Sequence, residues 1–179
     1  KKMLDKIELD DIQPSSRKYP FINFNIGREI GNDVLTVDGL TASHDGEVMF
    51  KDIRFSMNKE DKIVLLGSPN AKSLLMDVLM GQKEADAGTY KWGVTTSQSY
   101  LEMDHDKYFN GGEKSLVEWL RQYSPEDETE SFLRGFLGRM LFSGEEVKKS
   151  PAVLSGGEKV RCLLSKMMLS NSNVILLDE

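Results

Sequence analysis

The feature that most constrains the fold lies near the C-terminal end, where a glycine-containing loop, an amphipathic stretch and an apolar run follow one another. The loop consists of Leu154, Ser155, Gly156, Gly157 and Glu158. The apolar run Val174–Leu177 ends in Asp178 and Glu179. The periodicity predicts a helix over 158–169 that leads into a buried strand, which is typical of an open α/β sheet.

This segment has the residue types that a nucleotide triphosphate requires. Two glycines let the backbone approach an anion, and a helix that begins there directs free amides and its positive end toward that anion. Ser155 adds a hydroxyl donor. Carboxylates that follow a buried strand lie where open α/β sheets bind ligands, so Asp178 is predicted to hold Mg²⁺ and Glu179 to orient or deprotonate water. The alternative explanation is that Ser155–Gly157 form an ordinary loop and that Asp178 and Glu179 are a solvated strand end. This alternative is reasonable for either motif alone but weak when both occur together.

A weaker phosphate-binding segment follows the apolar run 62–66. A P-loop has a glycine, four residues, a second glycine, a lysine and a serine or threonine. Here the loop is one residue short and has alanine at the second glycine, since it consists of Gly67, Ser68, Pro69, Asn70, Ala71, Lys72 and Ser73. Lys72 and Ser73 can still meet phosphate and Mg²⁺, but the shortened loop should misdirect some of its amides. A plain strand-to-helix turn is the alternative.

The remaining patterns predict short strands and helices around these motifs. Strands are expected at 34–37, 48–57, 62–66, 89–92 and 95–101, with 62–66 buried on both faces because its apolar residues do not alternate with polar ones. Apolar residues at helical spacing predict a helix at 74–80 and a helical insert over 114–148. The start of the chain is predicted to contain the end of a helix at 1–12 and a strand-like segment at 19–26.

The composition of the chain restricts its cellular location and its possible partners. No apolar run approaches the roughly 20 residues that cross a bilayer, and the first residues lack the pattern of a secretory signal. A single cysteine, Cys162, excludes an intrachain disulfide, and the net charge of -6 argues against nucleic-acid binding by this segment. A cytoplasmic location without a membrane or nucleic-acid partner is expected.

Together these motifs resemble those of ATP-binding cassettes. Residues 154–158 match the cassette signature motif, and 175–179 resemble the Walker B strand. Three further segments, 9–21, 91–98 and 132–137, resemble ABC-F proteins, and the similarity covers nearly the whole chain. The resemblance implies a P-loop NTPase fold with an antiparallel β subdomain, a helical subdomain at about 114–150 and a truncated C-terminal end. Residues 1–33 would be the end of an inter-cassette linker, and 34–179 a truncated second cassette.

The resemblance also implies an activity and a set of partners. ABC-F proteins are soluble, cytoplasmic twin-cassette ATPases, many of which bind ribosomes and act on translation. The implied cofactors are ATP and Mg²⁺, and the implied partners are the first cassette of the same full-length chain and the ribosome. The implied site residues are Glu179 for catalysis, Ser73 and Asp178 for the metal, residues 154–158 for the opposite nucleotide site, and, for the nucleotide, Gly67, Asn70, Ala71, Lys72, Ser73 and His44.

Several positions depart from the cassette pattern. His44 stands where an aromatic residue usually stacks on adenine, and Met103 stands by spacing where the Q-loop glutamine is expected. Gln98 is the candidate substitute, and His105 is interpreted as a solvated loop residue rather than a metal ligand. These departures suggest an asymmetric pair, in which this chain's own site binds nucleotide weakly or hydrolyses it slowly. Because the remaining cassette elements would follow Glu179, the 179-residue chain alone is expected to be inactive.

Three alternatives stay open at this stage. A transporter ATPase subunit shares these motifs but would dock on a permease, which the linker-like start argues against. A chromosome-structure ATPase would need long coiled-coil helices, for which 102–150 is too short. A non-catalytic cassette that binds the ribosome without responding to nucleotide would keep the fold while losing site residues.

Overall fold

The computed structural model describes residues 18–110, 114–125 and 128–178. The strands are β1 (Asp33–His44), β2 (Glu47–Asn58), β3 (Ala87–Trp92), β4 (Gln98–Leu101) and β5 (Val174–Leu177). The α-helices are α1 (Pro69–Leu79), α2 (Leu116–Arg121), α3 (Glu130–Arg139) and α4 (Gly156–Leu169). Short 3-10 helices lie at Asp106–Tyr108, Gly144–Lys148 and Pro151–Val153.

The N-terminal half forms an antiparallel sheet in the order β2-β1-β3. Asp45 and Gly46 both have positive φ angles, which suits the tight turn between β1 and β2. One face of β1 packs on α1, and this core contains Leu35, Val37, Leu40, Ala42, Leu74, Leu75, Val78 and Leu79. The predicted antiparallel β subdomain is therefore confirmed, with strands longer than the sequence pattern suggested.

A second core joins α2, α3 and α4. Its fully buried side chains include Leu116, Leu120, Leu133, Leu137 and Met140. Ser115 and Glu118 form a capping box at the start of α2, and the Thr129 hydroxyl accepts from the amide of Phe132 at the start of α3. The helices predicted within 114–148 are thus present, and they pack against the helix that follows the signature segment.

The strands β4 and β5 form a parallel pair, with Gln98 beside Val174 and Leu101 beside Leu177. A short turn, 170–173, connects α4 to β5, and α4 packs against β4. The predicted strand at 174–177 agrees with β5, whereas 95–97 precede β4 instead of belonging to it. None of the helices in the described ranges is long and apolar enough to cross a membrane.

The prediction of a buried strand at 62–66 is wrong. These residues form no strand, and Val64 and Leu66 are 80% and 93% exposed. A strand needs hydrogen-bonding neighbours from elsewhere in the chain, and within the described ranges no strand pairs with this segment. An apolar run therefore leads into Gly67 without the sheet that the pattern implied.

The strand-like segment predicted at 19–26 is also not a strand. Residues 18–31, which we call the strap, form neither a helix nor a strand and pair with no β-ladder. Single hydrogen bonds attach the strap to the helices and to the turns beside the sheets. The helix predicted at 1–12 lies outside the described residues.

Candidate nucleotide site

The carboxyl ends of β4 and β5 carry the acidic group predicted to bind metal. Asp178 is only 8% exposed, and its amide donates to the Leu101 carbonyl at 3.0 Å. The Tyr100 hydroxyl lies 3.3 Å from Asp178 Oδ2 and 3.2 Å from Asp77 Oδ1. Since a phenol has one proton, it donates to one carboxylate at a time. Tyr100 therefore links the sheet edge to α1.

Burial is the main reason that the pKa of Tyr100 is raised, and the negative charges of Asp77 and Asp178 add to it. The phenol consequently stays protonated and available as a donor between the two acids. Neither Tyr100 nor Asp77 was predicted as a site residue. Asp77 follows Ser73 by four residues on α1, which is one helical turn, and this spacing is the signal that could have identified it.

The start of α4 lies toward the same end of the sheet. Lys159, in the first turn of α4, places Nζ 2.7 Å from Asp106 Oδ1. Asp106 belongs to the segment that leaves the carboxyl end of β4. The first turn of α4 and Asp178 therefore both lie toward the carboxyl end of the parallel pair.

The first turn of α4 combines free amides with a capped serine. As the first two residues of the helix, Gly156 and Gly157 have no intrahelical acceptor for their amides. Glu158 Oε2 accepts from the Ser155 hydroxyl at 2.6 Å and from the Ser155 amide at 2.7 Å. The helix start can thus offer two glycine amides to an anion, and the Ser155 hydroxyl can join them if it leaves Glu158.

We expect Glu158 to titrate below its ordinary pKa of 4.5, because the Ser155 hydroxyl and then the Ser155 amide hold its carboxylate. The folded state favours the ionised form, so this stabilisation is present above the ordinary pKa and is lost as pH falls through the lower folded pKa. NMR titration of the Glu158 carboxyl measures the midpoint. Ser155→Ala should raise it, while Ser115→Ala, which removes a matching contact to Glu118, should leave it unchanged. A midpoint at or above the ordinary value would contradict this expectation.

The start of α1 differs from that of α4. Ser68 is the N-cap, and its hydroxyl oxygen accepts from the Ala71 amide at 3.3 Å. Pro69 is the first helical residue and has no amide hydrogen, and the Lys72 amide donates to the Ser68 carbonyl at 3.1 Å. Among the first four helical residues, only Asn70 has an amide hydrogen that is not donated to Ser68. The residues present do not fit the amide cradle that surrounds a triphosphate.

Met103 occupies the position that the sequence assigned to it. Its Sδ lies 3.8 Å from the Ser73 hydroxyl. A thioether is a soft ligand, whereas Mg²⁺ prefers oxygen donors. Gln98 does not replace the missing glutamine, because it lies at the other end of β4 and its amide donates to the Thr96 hydroxyl at 2.7 Å. The predicted metal residue Ser73 therefore faces sulfur where a hard oxygen donor was expected.

Three further residues that the sequence singled out are not part of this arrangement. His44 ends β1 next to the hairpin turn, with Nε2 3.6 Å from Asp45 and half of its side chain exposed. His105 precedes a 3-10 helix. Glu179, the predicted catalytic residue, lies outside the described residues, as does the part of the predicted linker before residue 18.

A family model described as ABC transporter matches residues 50–179. YkpA, an ABC transporter ATP-binding protein of Bacillus subtilis (strain 168), is 61% identical over 100% of this chain and 33% of its own length. YbiT, a probable ATP-binding protein of Escherichia coli O157:H7, is 36% identical over 99% of this chain and 34% of its own length. The chain thus spans about a third of the length of the curated relatives it matches.

A third relative is named for a role in translation. The energy-dependent translational throttle protein EttA of Mycobacterium tuberculosis (strain CDC 1551 / Oshkosh) is 32% identical over 92% of this chain and 30% of its own length. Among solved structures, cbiO1 from Clostridium perfringens, part of the ABC transporter complex cbiONQ, has a TM-score of 0.55 at 18% identity. It covers 82% of this chain and 65% of its own, and it shows the fold alone. The chain therefore belongs to the ABC transporter family of ATP-binding cassettes, and its resemblance to the ABC-F members of that family is confirmed.

Proposed function

We propose that this chain is one cassette of a pair and supplies the signature segment, 154–158, to a nucleotide held by the phosphate loop of the other cassette. The observation that carries this proposal is the contrast between two helix starts. Each helix binds its third amide with its own N-cap serine, but α4 still offers the amides of both Gly156 and Gly157, whereas Pro69 at the start of α1 leaves only the amide of Asn70. An anion is stabilised by free amides and not by amides that are already bonded.

The same contrast predicts an asymmetric pair. This chain's own site keeps the side chains of a nucleotide site, namely Lys72 for phosphate, Ser73 and Asp178 for Mg²⁺ and Glu179 for water. It lacks the amide cradle and has Met103 beside Ser73. We therefore propose that ATP, which would supply the phosphoryl group, and Mg²⁺, which would neutralise its phosphate oxygens, bind tightly at the site completed by 154–158 and weakly at the site that contains the loop beginning at Gly67.

In the full-length protein, we propose that ATP binding and hydrolysis are coupled to the ribosome in the cytoplasm and regulate translation. Support comes from the ABC-F resemblance and from EttA, whose name describes a translational throttle protein. In this proposal, residues 1–33 end the linker between the cassettes and 34–179 belong to the second cassette. The partners are then the first cassette of the same chain and the ribosome.

The asymmetry is tested by Glu179→Gln in the full-length protein. We expect steady-state ATP turnover to fall by less than about threefold, because the other site performs most of the hydrolysis. The matched control is the same change at the acid that ends the corresponding strand of the other cassette, where a loss of about a hundredfold or more is expected. If Glu179→Gln causes the larger loss, the proposed asymmetry is wrong.

A second candidate is a cassette that engages the ribosome without using nucleotide. The capped start of α1 favours it, since a site without an amide cradle responds poorly to ATP. Isothermal titration of ATP into the full-length protein, with each cassette disabled in turn, separates the two candidates. Loss of tight binding when 154–158 is altered supports signature donation, and unchanged binding supports the non-catalytic cassette.

A further inference from the structure

We infer that Met103 is a site of reversible oxidation by peroxides, and that its sulfoxide supplies beside Ser73 the oxygen donor that the thioether lacks. The inference rests on the proposed function for the weakness of this chain's own site. Its physical basis is the disagreement between that site and the cation expected there, because Mg²⁺ prefers oxygen ligands while Ser73 faces sulfur.

Met103 is 51% exposed, and it is the one methionine in the described ranges whose side chain is exposed to this extent. The other methionines in these ranges are buried or half-buried, namely Met49, Met57, Met76, Met80, Met140, Met167 and Met168. An oxidant must reach the sulfur atom, so exposure determines which methionine reacts first. The structure therefore favours Met103.

The single cysteine of the chain does not compete for the oxidant. Cys162 is 0% exposed, and burial is the main reason that its pKa is raised to about 12. The thiolate is the form of cysteine that reacts with peroxides. Because Cys162 is both enclosed and protonated, the sulfur of Met103 is the more accessible target.

The neighbouring contacts hold Met103 next to the predicted metal residues. The Asp178 amide donates to the Leu101 carbonyl at 3.0 Å, so the end of β5 lies two residues away from Met103. The carboxylate of Glu102 is buried and is held by two neighbouring side chains. On the side of α1, Met103 Sδ lies 3.8 Å from the Ser73 hydroxyl. The sulfur is thus positioned between β5 and α1.

Oxidation replaces a soft donor with a hard one. A lone pair of the Met103 sulfur forms a bond to one peroxide oxygen, the O–O bond breaks, and the other oxygen leaves as water or an alcohol. The sulfur is oxidised and the peroxide is reduced. Reductases that use thiols as electron donors convert the sulfoxide back to the thioether.

The sulfoxide resembles the side chain that the sequence pattern expected at this position. Its oxygen is bonded to the δ atom, as the amide oxygen of glutamine is. The oxygen accepts hydrogen bonds and is a harder metal ligand than sulfur. Met103 sulfoxide therefore offers the Ser73 hydroxyl an oxygen acceptor, next to the position where Ser73 and Asp178 are predicted to hold Mg²⁺.

The first test is peptide mass spectrometry of the full-length protein after treatment with limiting hydrogen peroxide. We expect the sulfoxide to form at Met103 at least about fivefold faster than at any other methionine in the described ranges. Met80, which is half-buried on the same side of the chain's α1 helix end, is the internal reference. Oxidation of Met80 or of a buried methionine as fast as Met103 would overturn the inference.

The second test measures the Mg²⁺-dependent binding of a non-hydrolysable ATP analogue by isothermal titration. It uses the full-length protein with the phosphate-loop lysine of the other cassette replaced, so that binding reports on this chain's own site. We expect oxidation to tighten binding by about tenfold. Met103→Gln should bind about tenfold more tightly than untreated wild type, whether or not peroxide is added.

Met103→Leu is the matched control, because leucine has a similar volume but cannot be oxidised. It should bind the analogue weakly both before and after peroxide. If oxidation leaves the affinity of wild type unchanged, or tightens Met103→Leu equally, the sulfoxide does not act at Ser73 and the inference is wrong.

The outcomes separate this inference from the proposed function. The ratio of affinities before and after oxidation tests the role of Met103, whereas the affinity of the untreated protein tests the proposed weak site. Tight binding before oxidation contradicts the asymmetric pair, and a tenfold gain on oxidation still supports the sulfoxide site. Weak binding that persists after full oxidation of Met103 agrees with the asymmetric pair and overturns the inference.

Discussion

Gly156→Asp in the full-length protein is expected to lower ATP turnover by about a hundredfold or more, whereas Lys72→Ala is expected to lower it by about threefold or less. The aspartate adds a negative charge at the helix start that we propose faces phosphate across the cassette pair, and it therefore opposes the free amides of Gly156 and Gly157. Lys72 belongs to the helix start that lacks an amide cradle. Steady-state phosphate release measures both effects.

Gly138→Asp is the control for the added charge. Gly138 is exposed on α3, and a Cβ there meets no atom within 4 Å. The ATP turnover of the Gly138→Asp variant should therefore stay near that of wild type. If Lys72→Ala lowers ATP turnover more than Gly156→Asp does, the site that contains the loop beginning at Gly67 performs most of the hydrolysis. The assignment of the two sites is then reversed.

Gly88→Ala is expected to destabilise the antiparallel sheet by about 2–5 kcal/mol. Gly88 has a φ of +82°, which is unfavourable for alanine, and it lies on β3 at the register shift in the antiparallel pairing of β3 with β1. A Cβ on Gly88 would lie 2.3 Å from the Gly39 carbonyl oxygen and 2.6 Å from the Leu40 amide nitrogen. Backbone atoms cannot move aside as a flexible side chain can, so the two strands must separate locally. Hydrogen exchange of the β1 and β3 amides gives the local unfolding free energy.

Gly46→Ala separates the two causes of this loss. Gly46 has the same φ of +82°, but a Cβ there meets nothing within 4 Å. Its substitution should therefore cost only the conformational part, about 1–2 kcal/mol. Equal losses at Gly46 and Gly88 would show that the close approach of β3 to β1 contributes nothing.

Local patterns were sufficient to predict the elements whose residues interact with near neighbours in sequence. The helical spacing after Gly157 and the apolar run at 174–177 specified α4 and β5 almost to the residue. The tight turn at Asp45 and Gly46 likewise precedes the strand predicted at 48–57, although of β1 the pattern predicted only 34–37. Spacing from Tyr100 also assigned Met103 to the Q-loop position, and the structure then showed its sulfur 3.8 Å from the Ser73 hydroxyl.

The tertiary structure decided the features that depend on partners far away in the chain. Residues 62–66 have the apolar pattern of a strand but lack a hydrogen-bonding neighbour in the described ranges, and periodicity cannot supply one. The bridge from Asp77 through Tyr100 to Asp178 joins α1, β4 and the end of β5. Three distant segments must fold before these atoms meet.

By itself, the sequence determined the family, the helix and strand that carry the signature and acidic motifs, and the shortened loop after Gly67. Only the tertiary structure showed that the Tyr100 hydroxyl lies between Asp77 and Asp178 and that residues 18–31 are attached to the end of α4. The physical reason is that a motif specifies which donors and acceptors exist. Folding decides which of them are already paired.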